Sequence, residues 1–213
     1  MELTGANSSR ASRISNRIGV LGGTFDPVHN GHIGIATAAF NVLELTSVLF
    51  VPADRPWMKE SGTGPSVSSI GHRIAMVELA IQDREGFELS MVDADRGRPS
   101  YSVDTISDLR EVFGHASELF LILGADALEE LPRWRDPERL VSMCTPVCVG
   151  RPGSGLPEEL PVDHPGHNAQ FVSGPMLPVS STEIRARGSE GLSIDGFVNN
   201  SVVAYIEENG LYQ

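Results

Sequence analysis

Cysteine is nearly missing. The 213 residues contain two, Cys144 and Cys148, both inside the apolar run VSMCTPVCVG. Residues four apart on a strand share a face but hold their Cβ atoms too far apart for a disulfide. The pair therefore reads as two buried thiols of a reducing compartment, and by itself it is too small a ligand set for zinc. Long apolar runs are missing as well, and nothing approaches the roughly 20 residues of a membrane span. Basic charge is scarce: 16 Lys and Arg against 28 Asp and Glu leave a formal charge of -12. Such a chain repels phosphate polymers at long range, which argues against a broad nucleic-acid surface but leaves room for one locally positive nucleotide site. Neither the dinucleotide fingerprint G-x-G-x-x-G nor the phosphate loop G-x-x-x-x-G-K-[ST] occurs, which sets aside a redox dehydrogenase. The stretch Met1 to Arg17, MELTGANSSRASRISNR, has Arg but no apolar core. It is not a secretory signal and reads as a disordered leader over residues 1–17.

What is present is the balance of a soluble globular protein, 40% apolar and 21% charged, at a length that suits one α/β domain. Short apolar runs alternate with amphipathic ones. Strands are expected at Ile18–Gly22, Ser47–Pro52, Phe87–Ala94, Leu119–Gly124, Val147–Gly150 and Gln170–Leu177. Helices are expected at His32–Leu43, Ser69–Gln82, Ser102–Phe113, from Ser181 onward, and at Asn199–Glu208. Strands alternating with helices of this length imply right-handed crossovers and a Rossmann-like doubly wound parallel sheet, with residues 18–213 as a single domain. Ligands of such sheets bind at the carboxyl ends of strands. The Pro- and Gly-rich stretch Pro152–Asn168 reads as a mobile surface loop, and its His164 and His167 receive no role.

The first expected strand runs into Gly22-Gly23-Thr24-Phe25-Asp26-Pro27-Val28-His29-Asn30-Gly31-His32, where a helix opens. Glycines there let backbone approach a phosphate, and a helix start favours an anion. His29 and His32 lie three apart, so both imidazoles reach one side of the helix start and can donate hydrogen bonds to charge building on phosphate oxygens. After the last expected strand comes Val179-Ser180-Ser181-Thr182-Glu183-Ile184-Arg185. Ser180 with Glu183 has capping-box spacing, and Arg185 follows one turn later. Alone this is a helix cap, whose first-turn amides and hydroxyls can hold phosphate oxygens.

GGTFDPVHNGH resembles the adenylyl-binding signature of the HxGH nucleotidyltransferase superfamily, most closely that of bacterial nicotinate-nucleotide adenylyltransferase. VSSTEIR resembles the family's ISSTxIR. Pro99–Thr105 resembles its SYTxDT segment, Gly124–Leu128 with Leu131–Trp134 its GADAL…LPxW segment, and Val149–Pro152 its xxRPG turn. One stretch departs: Pro56-Trp57-Met58-Lys59 stands where the family often has PPHK. The resemblance implies transfer of AMP from ATP to nicotinic acid mononucleotide, giving deamido-NAD and pyrophosphate, in the cytoplasm. It implies ATP contacts from Gly22, Gly23, Thr24, Phe25, His29, His32, Ser180, Ser181, Thr182 and Arg185, with His29, His32, Lys59 and Arg185 as the catalytic set. It implies mononucleotide contacts from Tyr101, Thr105, Asp126, Trp134 and Arg151. Taken singly, Trp134 could be core, Asp126 an N-cap and Arg151 a solvated charge. Mg2+ would arrive on ATP, with no dedicated protein metal site. The expected partners are the two substrates, with no nucleic acid polymer and no membrane. Homo-oligomer formation is left open. A different acceptor, or a nucleotide sensor that has lost catalysis, are the competing readings.

Overall fold

A computed structural model describes residues 16–56, 67–94, 96–150, 160–175 and 177–213. In chain order the elements are β1 (Arg17–Gly23), α1 (Asn30–Val42), β2 (Ser47–Pro52), β3 (Arg55–Pro56), α2 (Ile70–Ile81), β4 (Phe87–Leu89), β5 (Pro99–Ser100), α3 (Ser102–Phe113) and β6 (Glu118–Leu123). There follow α4 (Ala125–Glu129), a 3-10 turn (Leu131–Arg133), α5 (Pro137–Met143), β7 (Thr145–Gly150), β8 (Gln170–Ser173), α6 (Ser181–Ser189) and α7 (Asn200–Glu208).

Six strands form one sheet in the order β4-β2-β1-β6-β7-β8. Every neighbouring pair is parallel. The central strands read as continuous apolar runs because both of their faces are covered. Phe50 and Val48 of β2 point into a core built with α1, α2 and α7. Leu49 and Val51 point into a second core with α3 and α5. The expected Rossmann-like doubly wound parallel sheet is therefore what forms. The strand order turns at β1, with β2 on one side and β6 on the other. The loops after these strands, Gly23–His29, Ala53–Asp54 and Gly124, meet at one edge of the sheet, where this architecture opens its binding cleft.

The expected strands at Phe87–Ala94 and Gln170–Leu177 are shorter in the structure. Alternation continues past Leu89, but the Ala94 amide donates to Met91 O and closes a turn that buries Asp93. β8 stops at Ser173, two residues before Pro175, which cannot donate to a ladder. The short helices α4 and α5 escaped the periodicity reading because five and seven residues carry too few turns to show one. Cys148 lies on β7, whereas Cys144 ends α5. Both are buried and free, and burial pushes the Cys144 thiol up to about 12 and the Cys148 thiol up to about 11. His164 is half-buried, and its Nδ1 accepts the Gly166 amide as part of a turn. Among the described residues, no helix is long and apolar enough to cross a membrane.

Candidate active site

The histidine motif folds as its spacing requires. His29 is the N-cap of α1, with extended backbone at φ -143 and ψ 170. The His32 amide donates to Nδ1 of His29 at 3.4 Å, and the His29 amide donates to Nδ1 of His32 at 3.1 Å. This is a reciprocal capping box made by two imidazoles rather than by Ser and Glu. It has a chemical consequence. In a neutral ring whose Nδ1 accepts, the proton sits on Nε2. Both rings are thereby committed to presenting an Nε2–H donor.

The two rings stack, with centroids 3.7 Å apart and planes 27° from parallel. Two stacked imidazolium cations would repel, and burial pushes the same way: it lowers His29 from 6.5 to about 4, against a smaller opposing effect of its backbone hydrogen bond. His29 thus stands neutral near pH 7. Gly31 lets it sit there, since a Cβ at that position would lie 2.9 Å from His29 Nδ1. Phe25 meets the His32 ring edge-on at 5.0 Å and is itself 1% exposed. The Phe25 ring therefore belongs to the core. Gly23 makes room for it, because a Cβ there would come within 3.0 Å of that ring, while Gly22 faces open space. The helix-start amides expected to receive an anion are largely paired within the protein: the Asn30 amide donates to Phe197 O at 2.8 Å, and those of His29 and His32 form the box.

The second motif meets the first across the sheet edge. Ser180 caps α6 through its side chain, which accepts the Glu183 amide at 3.1 Å. Ser181 Oγ donates to Pro27 O at 2.9 Å, and one terminal nitrogen of Arg185 donates to Asp26 O at 2.7 Å. The other Arg185 terminal nitrogen donates to Thr182 Oγ1 at 3.3 Å. Residues some 150 positions apart in sequence thus share one short loop.

A cavity of about 220 Å³ opens beside that loop. Gly22, Gly23 and Thr24 form one wall, Val51 and Ala53 another, and Ser100, Ser102, Thr105 and Trp134 close it. Of the expected mononucleotide residues, Thr105 and Trp134 line this cavity. Tyr101 stands at the start of α3 with the Arg135 guanidinium 4.6 Å over its ring. Asp126 is exposed in the first turn of α4. Trp134 Nε1 and Ser100 Oγ are buried with no hydrogen-bond partner among the described residues. Such orphaned donors beside a cavity are what a polar ligand satisfies. Lys59 and Arg151, together with the Trp57 and Met58 departure, lie outside the described residues.

Sequence reasoning missed three supports. Asp93, 4% exposed, accepts Thr105 Oγ1 on both carboxylate oxygens at 2.9 Å and the Arg96 guanidinium at 2.6 Å. Burial raises its carboxyl, against the pull of Thr105 and Arg96. Arg73, 1% exposed, donates to the carbonyls of Ser68, Thr24, Ala53 and Asp54. Its signal was present: a charge on α2 in line with Ile70 and Val77, on the apolar stripe. Tyr212 donates to Asp26 Oδ1 at 2.7 Å, and nothing local in the sequence announces it. Among the described residues, no group of three or more His, Cys, Asp or Glu side chains is gathered that could hold a metal.

The chain matches the family model described as cytidylyltransferase-like over residues 20–187. It is 41% identical over 196 residues to a protein of Corynebacterium kroppenstedtii named "Probable nicotinate-nucleotide adenylyltransferase", covering 92% of this chain and 90% of that one. It is 42% identical over 204 residues to a Roseiflexus castenholzii protein of the same name, covering 93% and 99%. In fold it is similar to Plasmodium falciparum nicotinic acid mononucleotide adenylyltransferase complexed with APC, with a TM-score of 0.74 at 17% identity over 92% of this chain and 97% of that one. A histidine box on a doubly wound sheet, a serine motif bonded to the loop ahead of it, and relatives of this identity over nearly the whole chain agree: the chain belongs to the nicotinate-nucleotide adenylyltransferase family, within the cytidylyltransferase-like group.

Proposed function

We propose that this chain transfers the adenylyl group of ATP to nicotinic acid mononucleotide, forming deamido-NAD and releasing pyrophosphate. The observation that carries the mechanism is the reciprocal histidine box at the start of α1, which commits both stacked rings to an Nε2–H donor. The attacking mononucleotide phosphate is already an anion, so no general base is needed. Catalysis reduces to alignment and to stabilising charge on the α-phosphate. His29 and His32 would donate to those oxygens as neutral rings, in a setting already dry at His29.

Ser181, Thr182 and Arg185 would serve the remaining ATP phosphates. A guanidinium has five donors, and the bonds to Asp26 and Thr182 leave Arg185 able to turn others outward. Gly22, Gly23 and Thr24 would line the floor beneath the nucleotide. Phe25 would act by packing against His32, not by touching ATP. Lys59 is proposed as a further phosphate contact and Arg151 as a contact of the mononucleotide.

The cavity suits a pyridine ring. Trp134 offers an aromatic face, and the orphaned donors Trp134 Nε1 and Ser100 Oγ, with Thr105, offer polar contacts to the acid-bearing half. Tyr101 and Asp126 would frame the ribose side. Mg2+ fits as a passenger on ATP. The Asp26 carboxylate, in the loop before His29, is 2% exposed and accepts Tyr212 and the Ser68 amide, so phosphate oxygens and water would hold the ion. A cytoplasmic setting accords with the free buried thiols.

The test supplies ATP with nicotinic acid mononucleotide, nicotinamide mononucleotide or phosphopantetheine in turn and measures pyrophosphate. Release with the first well above the other two is expected. Greater release with either competitor, or ATP binding with no release for any acceptor, would overturn the assignment.

A further inference from the structure

The stretch Asp26–Pro27, just ahead of the histidine box, is held from several elements at once. Its carbonyls take Arg185 and Ser181 of α6. The Asp26 carboxylate takes the Ser68 amide on Oδ2 at 3.3 Å and the Tyr212 hydroxyl on Oδ1 at 2.7 Å. Tyr212 follows α7 and stands 186 residues away in sequence. The chain accepts strain to seat it. Tyr212 lies at φ 63, and Phe25, beside Asp26, lies at φ 52. Left-handed backbone at a bulky residue persists only where surrounding contacts over-determine it. Gly188 of α6 completes the seat, since a Cβ there would come within 3.0 Å of Tyr212 O. The contact is partly buried, and burial, then the Asp26 hydrogen bond, raise the Tyr212 phenol, so it stays a protonated donor.

We infer that Tyr212 is a positioning residue for adenylyl transfer, which through the Asp26 carboxylate fixes the loop that sets both histidine rings against the Ser181–Arg185 grip. The inference rests on the proposed transfer reaction. Tyr212 touches neither ring. It acts by removing the freedom of Asp26, whose own carbonyl anchors Arg185. Without the hydroxyl, one carboxylate oxygen is left buried without a donor, and the loop can shift to find one. A shift well under an ångström suffices to spoil in-line geometry.

The experiment compares Tyr212→Phe with the wild type and with Leu140→Ala, a control whose stability loss comes from a cavity among the α5-face residues, away from the loop. Three quantities are read: kcat with saturating ATP and nicotinic acid mononucleotide, KM for each, and amide hydrogen exchange over residues 24–32. For Tyr212→Phe a fall of about tenfold in kcat is expected, with each KM within about twofold and faster exchange confined to that loop. Leu140→Ala should keep kcat and loop exchange while melting earlier. Unchanged kcat and unchanged loop exchange in Tyr212→Phe would overturn the inference, as would an equal kcat loss in the control. If the wild type releases no pyrophosphate, the reaction itself is wrong, and loop exchange still decides whether Tyr212 holds the loop.

Discussion

In the proposed reaction His32 would work through a single atom. Its Nδ1 is occupied by the His29 amide, so whatever it gives a phosphate comes from Nε2. His32→Ala is expected to lower kcat by roughly 10²–10³ with little change in either KM, the loss typical of one transition-state donor. Steady-state kinetics with both substrates varied would check it, and near-normal kcat would remove the ring from the chemistry. His29 carries a pH signature as well. Its folded value is about 4 against 6.5 for a free imidazole. Between those values the unfolded chain binds a proton that the folded chain does not, so stability is complete above the higher value and declines as pH falls toward the lower one. The decline should amount to roughly 3 kcal/mol. Urea midpoints measured in steps between pH 7 and 4 should fall less steeply in His29→Asn, which keeps a good cap without the titrating ring. Much at this scale was readable in advance: the spacing of His29 and His32 and the Ser180 cap are local facts. That Phe25 would be core, and that the helix-start amides would be paired internally, depended on what folds over them.

The elements that carry the site are short at their edges and regular at their centres. Helices α1, α2, α3 and α7 show in the sequence because each has an apolar stripe of three turns or so, and β1, β2 and β6 because covered strands are continuously apolar. The 3-10 turn Leu131–Arg133 and its neighbour Trp134 gave no periodic signal, yet they deliver an aromatic face to the cavity. Trp134→Ala should raise KM for the mononucleotide by about fivefold or more while KM for ATP moves little, since stacking on an aromatic contributes about 1 kcal/mol or more when buried. An equal loss for both substrates in initial-rate kinetics would move the acceptor elsewhere. At the start of α1, Gly31→Ala places a methyl 2.9 Å from His29 Nδ1. The His29 ring must swing away, so kcat should fall while the melting temperature changes by only a few degrees.

For the molecule as a whole, the sheet gathers distant segments and a few buried polar groups fasten them. Arg73 joins the loops after β1 and β2 to the start of α2 through four carbonyls. Arg73→Met would leave those acceptors buried without a donor, a loss of about 3–5 kcal/mol. In a domain of this size that lowers the melting temperature by roughly 6–20 °C, which calorimetry would register; a loss under a few degrees would mean water replaces the guanidinium.

The sequence by itself determined the strand and helix alternation, and with it the doubly wound sheet and the edge at which ligands enter. It also determined the two motifs proposed to face phosphate, because hydrophobic period, glycine and capping chemistry act over a few residues. Only the tertiary structure decided which distant groups bond to the loops and helices of the candidate site: Tyr212 to Asp26, Arg73 to Thr24, Asp93 to Thr105. Hydrogen bonds between buried groups many residues apart leave no periodic trace along a chain. They exist only once the sheet has brought their partners within 3 Å of one another.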